Sequence, residues 1–281
     1  MAQIVANIAL SHAPGLTGWL DHATPEEQER LVAGYEEMGR LFRATKPDVI
    51  VGVANDHCLN MPVHDVVDFC VGTADQWDGP ADWFKDWLNV PDYQVKGNSA
   101  VAKVIHRKTH EAGFNVRTAD HLLFDDNWSV PLLYLTPDHD VPLVPIHMNC
   151  IVPPLIEPTK CYEAGTALAK IIAQDLPAEL RVALMATGGL SHDPGGPKYF
   201  QVDEKFDRWF LSMMETGDPE RFLREVTLDK MVAAGDGGTS ELLAWIVSLG
   251  AAGGAAARTI CYEPSVALRC GMGGVIWDMG G

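Results

Sequence analysis

The sequence predicts an α/β fold in which residues 1–281 form a single domain. Short apolar runs rich in β-branched residues alternate along the chain with longer stretches of helical periodicity. No internal repeat, low-complexity tract or Ser/Gly-rich linker divides the chain. Most of the apolar runs are hydrophobic at consecutive positions, as expected for strands that are buried on both faces of a sheet.

Seven strands and five helices make up this predicted pattern. The strands cover residues 4–10, 49–54, 66–71, 114–118, 141–146, 181–186 and 274–277. The helices cover residues 25–46, 99–112, 161–174, 204–214 and 239–249. The Gly- and Pro-rich stretch 76–92 is predicted to be an irregular excursion over the surface or a pocket mouth. Its three tryptophans serve either that pocket or packing alone: Trp77, Trp83 and Trp87.

The first helix has the clearest signals at both ends. Thr24 suits the N-cap, Pro25 the first helical position and Glu27 the reciprocal place of a capping box. Pro47 ends the helix because its ring disfavours the α conformation at the residue before it. Between these ends, one apolar face is formed by Leu31, Tyr35, Met38 and Phe42.

Composition and charge exclude some classes of partner. The formal net charge of −17 would repel a nucleic-acid backbone or an anionic lipid surface, so neither is an expected partner. The six cysteines lack any CxxC pair, which is typical of reduced thiols. The longest uncharged run, 242–257, is too short to span a membrane, and no basic segment precedes the first apolar run. We therefore expect a cytoplasmic protein.

Three histidines occupy matching positions after predicted strands. His12, His57 and His192 each follow an apolar run and a few small or polar residues. A single histidine in this position is more often a loop residue or a structural hydrogen-bonding group. Ligands of α/β sheets, however, bind beyond the carboxyl ends of the strands, so three matched imidazoles favour a common site there. The remaining seven histidines are expected to be mostly surface residues, although His147 also follows a strand.

A carboxylate completes this set. Glu241 follows a Gly-rich turn and stands in the first turn of a predicted helix, where the helix dipole favours its ionised form. Helix capping is the alternative role for such a glutamate. Two imidazoles and one carboxylate form the facial triad of non-haem Fe(II) oxygenases. A catalytic zinc site with two His and one Glu remains equally open on spacing alone.

Four motifs together resemble the class III extradiol ring-cleavage dioxygenases, especially the catalytic (beta) subunits of the protocatechuate 4,5-dioxygenase type and their gallate-type relatives. The motifs are Ser11-His12-Ala13-Pro14, Asn55-Asp56-His57, the TGGLSH segment 187–192 and Gly238-Thr239-Ser240-Glu241. Their order and spacing match over residues 4–272, nearly the whole chain. The resemblance implies a central mixed β-sheet flanked by helices, with the active site at the carboxyl ends of the strands.

The resemblance also implies a reaction and its residues. His12, His57 and Glu241 are expected to bind Fe(II), and His192 is expected to act as the catalytic acid and base. The reaction would be extradiol (meta) cleavage of a catecholic compound by O2, with a substrate of the protocatechuate or gallate class. Members of this family that pair with a small helical subunit use it as a lid over the site. We therefore expect either a homo-oligomer or a complex with such a subunit.

One segment departs from the family pattern. Where relatives carry Asp-His-Gly, this chain has Asp125-Asp126-Asn127, so Asp126 replaces a second pocket histidine. We expect Asp126 to be a second catalytic residue that binds a substrate hydroxyl or amine in its place, or His121 to move into the pocket as the substitute. The segment 262–265 also resembles a substrate-pocket stretch, which makes Ser265 a candidate substrate contact.

Two other functions are compatible with the same fold. One is a zinc-dependent enzyme that uses the same three ligands. The other is a catalytically silent member that only binds a ligand or a partner. The presence of His192 beside all three expected ligands argues against a silent protein, which has no need of that residue.

Overall fold

A computed structural model describes residues 1–279 of the chain. Its strands are β1 (Gln3–Leu10), β2 (Val49–Asn55), β3 (Phe69–Gly72), β4 (Gln76–Gly79), β5 (Tyr93–Lys96), β6 (Val116–Ala119), β7 (Leu143–Met148), β8 (Arg181–Thr187), β9 (Ala257–Ser265) and β10 (Cys270–Trp277). Its α-helices are α1 (Gly15–Gly18), α2 (Pro25–Ala44), α3 (Lys85–Leu88), α4 (Ser99–Glu111), α5 (Asp126–Leu135), α6 (Pro158–Asp175), α7 (Glu204–Met214), α8 (Pro219–Glu225), α9 (Leu228–Ala234) and α10 (Leu242–Ala251). Short 3₁₀ helices cover Leu20–His22, Asp82–Phe84 and Thr239–Glu241.

Eight of these strands form one sheet in the order β6-β3-β7-β2-β8-β1-β10-β9. The central strands β7, β2, β8 and β1 are parallel, whereas β10 and β9 add an antiparallel edge and β3 is antiparallel to β7. The sheet is therefore mixed, and helices pack on both of its faces. The predicted single α/β domain with a central mixed sheet is confirmed.

Side chains of the central strands alternate between two hydrophobic cores. In β2, Val49, Val51 and Val53 enter the core that α6 and α10 cover, while Ile50 and Ala54 enter the core that α2 and α5 cover. Successive side chains of a strand point to opposite faces, so a strand between two helical layers must be apolar throughout. This explains the continuous hydrophobic runs in the sequence.

The first long helix agrees with its sequence signals. Thr24 is the N-cap of α2, and its hydroxyl accepts a hydrogen bond from the Glu27 backbone N–H at 3.3 Å. The four residues of the predicted apolar face, which share an exposed fraction of 3% or less, are Leu31, Tyr35, Met38 and Phe42. The helix ends at Ala44, just before Pro47, as the sequence predicts.

Other elements differ from their predictions. The strands predicted at 66–71 and 274–277 are Phe69–Gly72 and Cys270–Trp277, and the edge strand β9 was not predicted. Helix α5 was also missed, because its Pro131 and its short apolar run obscure the helical period. The stretch 76–92 contains β4, which pairs with β5, as well as a 3₁₀ turn and α3. The predicted helix 239–249 starts as the 3₁₀ turn Thr239–Glu241 before α10. Within residues 1–279, no helix is both long enough and apolar enough to cross a membrane.

Candidate active site

The sheet topology brings the three matched histidines together. Strands β2, β8 and β1 are neighbours and run parallel, so their carboxyl ends lie at one edge of the sheet. His12 stands two residues after β1, and His57 stands two residues after β2. His192 lies on the loop that follows β8. The loop positions therefore converge for the reason that the sequence suggested.

These histidines surround the carboxylate of Glu241. Its oxygens lie 3.2 Å from His12 Nε2, 3.1 Å from His57 Nε2 and 3.4 Å from His192 Nε2. The ligand atoms of His12, His57 and Glu241 all lie within 4.8 Å of one another. Glu241 is 2% exposed and His12 is 3% exposed, so the group is shielded from bulk water. Its side chain makes no capping hydrogen bond to either helix that it borders, which removes the capping alternative.

The hydrogen bonds on the far side of the two imidazoles fix where their lone pairs point. His12 Nδ1 lies 2.8 Å from the Thr187 hydroxyl, which donates its own proton to the Asn127 carbonyl at 3.0 Å. That hydroxyl therefore accepts from His12 Nδ1–H. His57 Nδ1 likewise donates to the carboxylate of Asp125 at 2.8 Å. In the neutral state both rings then present a bare Nε2 toward Glu241.

This arrangement fits a divalent metal ion. Two imidazole lone pairs that face a buried carboxylate at about 3 Å repel it unless a proton or a metal ion lies between them. Imidazoles whose second nitrogen is held by a hydroxyl or carboxylate are the usual ligands of transition metals. The donor set of His12, His57 and Glu241 can therefore hold a metal ion. Its polar surroundings also fix Glu241, because the Gly189 N–H and the Asn55 amide donate to the two carboxylate oxygens at 2.8 and 3.3 Å.

The close approach of the imidazoles to carboxylates also shifts the pKa values of Glu241 and His57. Burial alone raises the pKa of the Glu241 carboxyl, but His192 and His12 outweigh it and hold that pKa well below its usual range. Burial alone lowers the pKa of His57, but Asp125 and Asp126 outweigh it and hold that pKa well above its usual range. Both shifts show that the site favours positive charge between the imidazoles and the carboxylate.

His192 is oriented by its own loop. Its Nδ1 lies 2.7 Å from the Leu190 carbonyl, which can only accept, so Nδ1 carries a proton. Its Nε2 points to the Glu241 carboxylate. Burial lowers the pKa of His192, but Glu241 outweighs this and raises the pKa above its usual value. The Nε2 atom of His192 is thus directed at the Glu241 carboxylate, and an imidazole in this position can donate or accept a proton.

The two aspartates at the start of α5 have different surroundings. Asp125 is 1% exposed, bonds His57 and also caps α5 by accepting from the Asn127 N–H at 2.9 Å. Asp126 faces the cavity, and its nearest charged partner is His57 Nδ1 at 3.5 Å. Burial raises the pKa of Asp126 to about 6, although His57 opposes that shift. Asp125 is therefore committed to His57, whereas Asp126 is available to a ligand.

A cavity of about 400 Å³ opens onto these groups, a size typical of small-molecule sites. The titratable side chains that line it are those of His12, His57, Asp126, His192, Glu241, Tyr199, Arg269 and Cys270. Trp19, Phe84 and Trp87 supply apolar wall. Phe84 and Trp87 belong to the stretch 76–92, which borders the cavity as one of its two predicted roles requires. Trp77 instead packs in the core, where its indole N–H donates to the Leu143 carbonyl at 3.1 Å.

Two candidate substrate contacts lie elsewhere. His121 is exposed on the loop after β6 and is absent from the cavity lining. Ser265 is fully buried at the end of β9, where its hydroxyl bonds the Glu27 carboxylate and accepts from the Leu268 N–H. The Ser265 side chain turns toward α2 because strand alternation decides its face, which a loose motif match does not reveal. The geometry therefore supports neither as a direct substrate contact.

Sequence reasoning also missed several supporting residues. His147, grouped with the surface histidines, is fully buried and bonds the Trp128 indole at 2.9 Å and Asp56 at 3.2 Å. Thr187 and Asp125 bond the imidazoles of His12 and His57, respectively. The sequence did not indicate these roles, although Thr187 belongs to the motif 187–192 and Asp125 to the segment that departs from the family pattern. Arg269 lines the cavity without any local motif. The one signal in the sequence that could have indicated Asp125 is its position directly before Asp126, where the chain departs from the family pattern.

Comparison with known proteins identifies the family of this chain. A family model described as the catalytic LigB subunit of aromatic ring-opening dioxygenase matches residues 6–267. A 2,3-dihydroxyphenylpropionate/2,3-dihydroxicinnamic acid 1,2-dioxygenase of Photorhabdus laumondii is 28% identical over 235 residues, which cover 82% of this chain and 70% of that protein. Gallate dioxygenase of Pseudomonas putida is 28% identical over 159 residues, which cover 56% of this chain and 46% of that protein.

A solved structure supports the fold. The crystal structure of an uncharacterized protein from Escherichia coli K12 superposes with a TM-score of 0.63 at 16% identity, covering 96% of this chain and 98% of that one. The family model spans nearly the whole chain and includes all four motif residues of the site. The chain therefore belongs to the family of catalytic LigB subunits of aromatic ring-opening dioxygenases.

Proposed function

We propose that this protein is a non-haem Fe(II) extradiol dioxygenase that opens a catecholic ring at the meta bond with O2. The observation that carries the proposal is the convergence of His12, His57 and Glu241 within 4.8 Å, with His192 beside them. Two imidazoles and a carboxylate that leave neighbouring positions open are the ligand set of Fe(II) oxygenases. Family membership supplies the reaction class, aromatic ring opening.

Three residues would hold the metal. His12 and His57 would bind ferrous iron through Nε2, and Glu241 through its carboxylate. When bound, the ion supplies a docking point for both oxygens of a diol and a path for electrons between the ring and O2. The chain supplies the remaining functions, which are orientation, proton transfer and exclusion of water.

His192 is the proposed acid and base. Its Nδ1–H is held by the Leu190 carbonyl, so its Nε2 exchanges protons within the cavity. A neutral ring takes the proton of a substrate hydroxyl, which strengthens the binding of that oxygen to a cation. The resulting imidazolium returns the proton when the ring opens. One residue can serve both steps because imidazole titrates near neutral pH.

Asp126 is the proposed partner of the substrate's polar group. It is 6% exposed and faces the cavity, and it lies at the position where the family resemblance implies a histidine. Its carboxyl oxygens can accept a hydrogen bond from a substrate hydroxyl or amine, or donate one when protonated. We assign it orientation of the ring rather than metal binding, because Asp125 already holds the nearest imidazole.

The cavity suits an aromatic ring with a substituent. Trp19, Phe84 and Trp87 form apolar wall against which a ring can pack. The named substrates of the relatives, dihydroxyphenylpropionate and gallate, are aromatic polyols that carry a carboxylate. We therefore assign this chain a catecholic substrate of the protocatechuate or gallate type. We further propose that the protein acts as a homo-oligomer or as a complex with a small helical subunit.

Compartment follows from the chemistry of the thiols. All six cysteines are free, and four of them are buried. Unpaired thiols and ferrous iron both suit a reducing environment. The proposal therefore places the enzyme in the cytoplasm.

Reconstitution tests the proposal. The protein, freed of metal and loaded anaerobically with Fe(II), is mixed with a panel of catechols and O2, and the yellow ring-opened product and O2 uptake are followed. We expect product with at least one diol and none with Zn(II) in place of Fe(II). Turnover with zinc but not with iron would contradict the assignment of the metal. Absence of turnover with every diol, while iron is demonstrably bound, would contradict the assignment of the reaction.

A further inference from the structure

Arg269 is a cationic side chain in the wall of the active-site cavity. It stands in the tight turn between β9 and β10. It is the one Lys or Arg among the cavity-lining residues that the structure describes. The cavity-lining carboxylates, Asp126 and Glu241, form their ion-pair contacts with histidines and not with Arg269. The other cavity charges, by contrast, have charged neighbours: Glu241 lies beside the histidines, and Asp126 lies 3.5 Å from His57 Nδ1.

Aromatic rings hold the Arg269 guanidinium without neutralising it. Its central carbon lies 4.7 Å from the Tyr199 ring centroid, 5.2 Å from that of Phe200 and 5.4 Å from that of Trp19. One guanidinium nitrogen donates to the Tyr199 hydroxyl. A guanidinium has five N–H donors in a planar fork, so most of them remain available to a ligand. The charge is therefore oriented in advance of binding.

The start of β10, directly after Arg269, is hydrogen-bonded to the loop that carries His192. The Leu190 N–H donates to the Gly271 carbonyl at 3.1 Å, and the Gly271 N–H donates to the Ser191 carbonyl at 3.0 Å. Arg269 itself has φ of 62°, in the left-handed region that non-glycine residues rarely adopt. Backbone hydrogen bonds thus hold the strand that follows Arg269 against the residues that precede His192.

We propose that Arg269 binds a carboxylate substituent of the aromatic substrate, so that the enzyme selects carboxylated catechols over neutral ones. The inference rests on the proposed function and names the residue that determines specificity within it. A chain with a net charge of −17 repels anions in general, so an anionic substrate needs a local cation at the site. Arginine pairs with a carboxylate through two parallel hydrogen bonds, which also fixes the orientation of the ring.

The test compares two ring substrates that differ in charge. 3,4-Dihydroxybenzoate and neutral 4-methylcatechol are supplied to the Fe(II)-loaded enzyme and to its Arg269→Gln and Arg269→Lys variants. Charge-assisted hydrogen bonds predict that Arg269→Gln lowers kcat/KM for the carboxylated compound by about 10- to 100-fold. The value for the neutral compound should stay within about threefold, and Arg269→Lys should retain part of the preference because it keeps the charge.

A binding measurement separates this inference from the proposed reaction. Calorimetry under anaerobic conditions gives the affinity of the metal-loaded protein for each compound without turnover. Arg258→Gln, which removes an exposed charge of β9 outside the cavity, controls for the change in net charge. The inference would be overturned if Arg258→Gln and Arg269→Gln lost equal affinity for the carboxylated compound. It would also be overturned if Arg269→Gln kept the wild-type preference for that compound. A preference that depends on Arg269 in a protein that cleaves no diol would support it while refuting the reaction.

Discussion

At the scale of single residues, the candidate metal site depends on the hydrogen bonds behind its imidazoles. Asp125 accepts from His57 Nδ1–H, and Thr187 accepts from His12 Nδ1–H. Each bond fixes the tautomer that leaves Nε2 free for a cation. The residues expected to bind the metal therefore depend on hydrogen-bond partners behind them, and those partners can be tested separately.

Replacing Asp125 with asparagine tests this orientation. Asn keeps the size of the side chain and the oxygen that caps α5, but it no longer offers His57 a charged acceptor. We expect the affinity for Fe(II) to fall by about 10- to 100-fold with little change in stability. Metal competition titrations measure the first effect and urea unfolding measures the second. Asp120→Asn, at an exposed position, is the control, and equal affinities in the two variants would contradict this role.

Replacing His192 with alanine tests the acid and base. The three expected metal ligands remain, so the protein should still bind one equivalent of iron. Loss of proton transfer should lower kcat by about 10²- to 10⁴-fold. Metal analysis and stopped-flow measurement of product formation give the two values. His64→Ala, at an exposed loop position, should match the wild type, and a His192→Ala variant with full activity would remove the proposed base.

At the scale of elements, glycines in two loops leave the space that the His192 imidazole occupies. A Cβ atom at Gly238 would lie 2.2 Å from His192 Nε2, and one at Gly189 would lie 2.6 Å from its Cε1. Both glycines belong to the sequence motifs that carry the site. Their small size is required by packing against the imidazole rather than by backbone conformation, because neither has a positive φ.

The Gly238→Ala variant should therefore act through His192. The added methyl group displaces the imidazole, and a displacement on the order of 1 Å lowers kcat by about 100-fold. Single-turnover kinetics measure the effect, with thermal unfolding as a check on the fold. In a double-mutant cycle with His192→Ala, the glycine substitution should cost little more once the imidazole is absent. Additive losses would show that Gly238 acts elsewhere.

At the scale of the whole molecule, a buried aspartate joins the loop of the base to the edge of the sheet. Asp207 on α7 accepts from the Ser191 N–H at 2.7 Å, the Ser191 hydroxyl at 3.0 Å and the Tyr262 hydroxyl at 3.0 Å. Burial raises the pKa of Asp207 to about 6, although the hydrogen bonds from Ser191 and Tyr262 oppose the shift. The group thus connects α7, β9 and the loop after β8 at the expense of a desolvated charge.

This shift predicts a pH dependence of stability. Between the ordinary carboxyl pKa of about 4 and the folded value of about 6, the native state keeps a proton that the unfolded state has lost. Stability from this group therefore falls as pH rises through that window and is constant above it. The loss amounts to about 3 kcal/mol at most.

Urea unfolding of metal-free protein between pH 4 and pH 7.5 measures this dependence. The Asp207→Asn variant should have a shallower downward trend between about pH 4 and 6, because its side chain cannot ionise and the contribution of Asp126 remains. Its amide can still bond Ser191 and Tyr262, whose hydroxyls rotate. Asp229→Asn, at an exposed position, should keep the wild-type profile. Identical profiles for the two variants would show that Asp207 does not titrate between the folded and unfolded states.

The sequence by itself determined the fold class and identified four residues that the structure brings together, which are His12, His57, His192 and Glu241. Parallel strands buried on both faces need continuous apolar runs, and each such run marks a strand end where His12, His57 or His192 can be placed. Because these signals are local, they can be read from neighbouring residues. The Gly-rich motif before Glu241 can also be recognised from neighbouring residues. The resemblance to a known family indicated that Glu241 shares a site with the histidines.

Only the tertiary structure decided which side chains complete the site. Asp125 and Asp126 are adjacent in sequence, yet one holds His57 and the other faces the cavity. Ser265 turns toward α2 while Arg269, four residues later, reaches the cavity wall. These differences arise from the direction of each side chain and from contacts between residues far apart in the chain. Local periodicity specifies neither side-chain direction nor long-range contacts, so only the tertiary structure could show them.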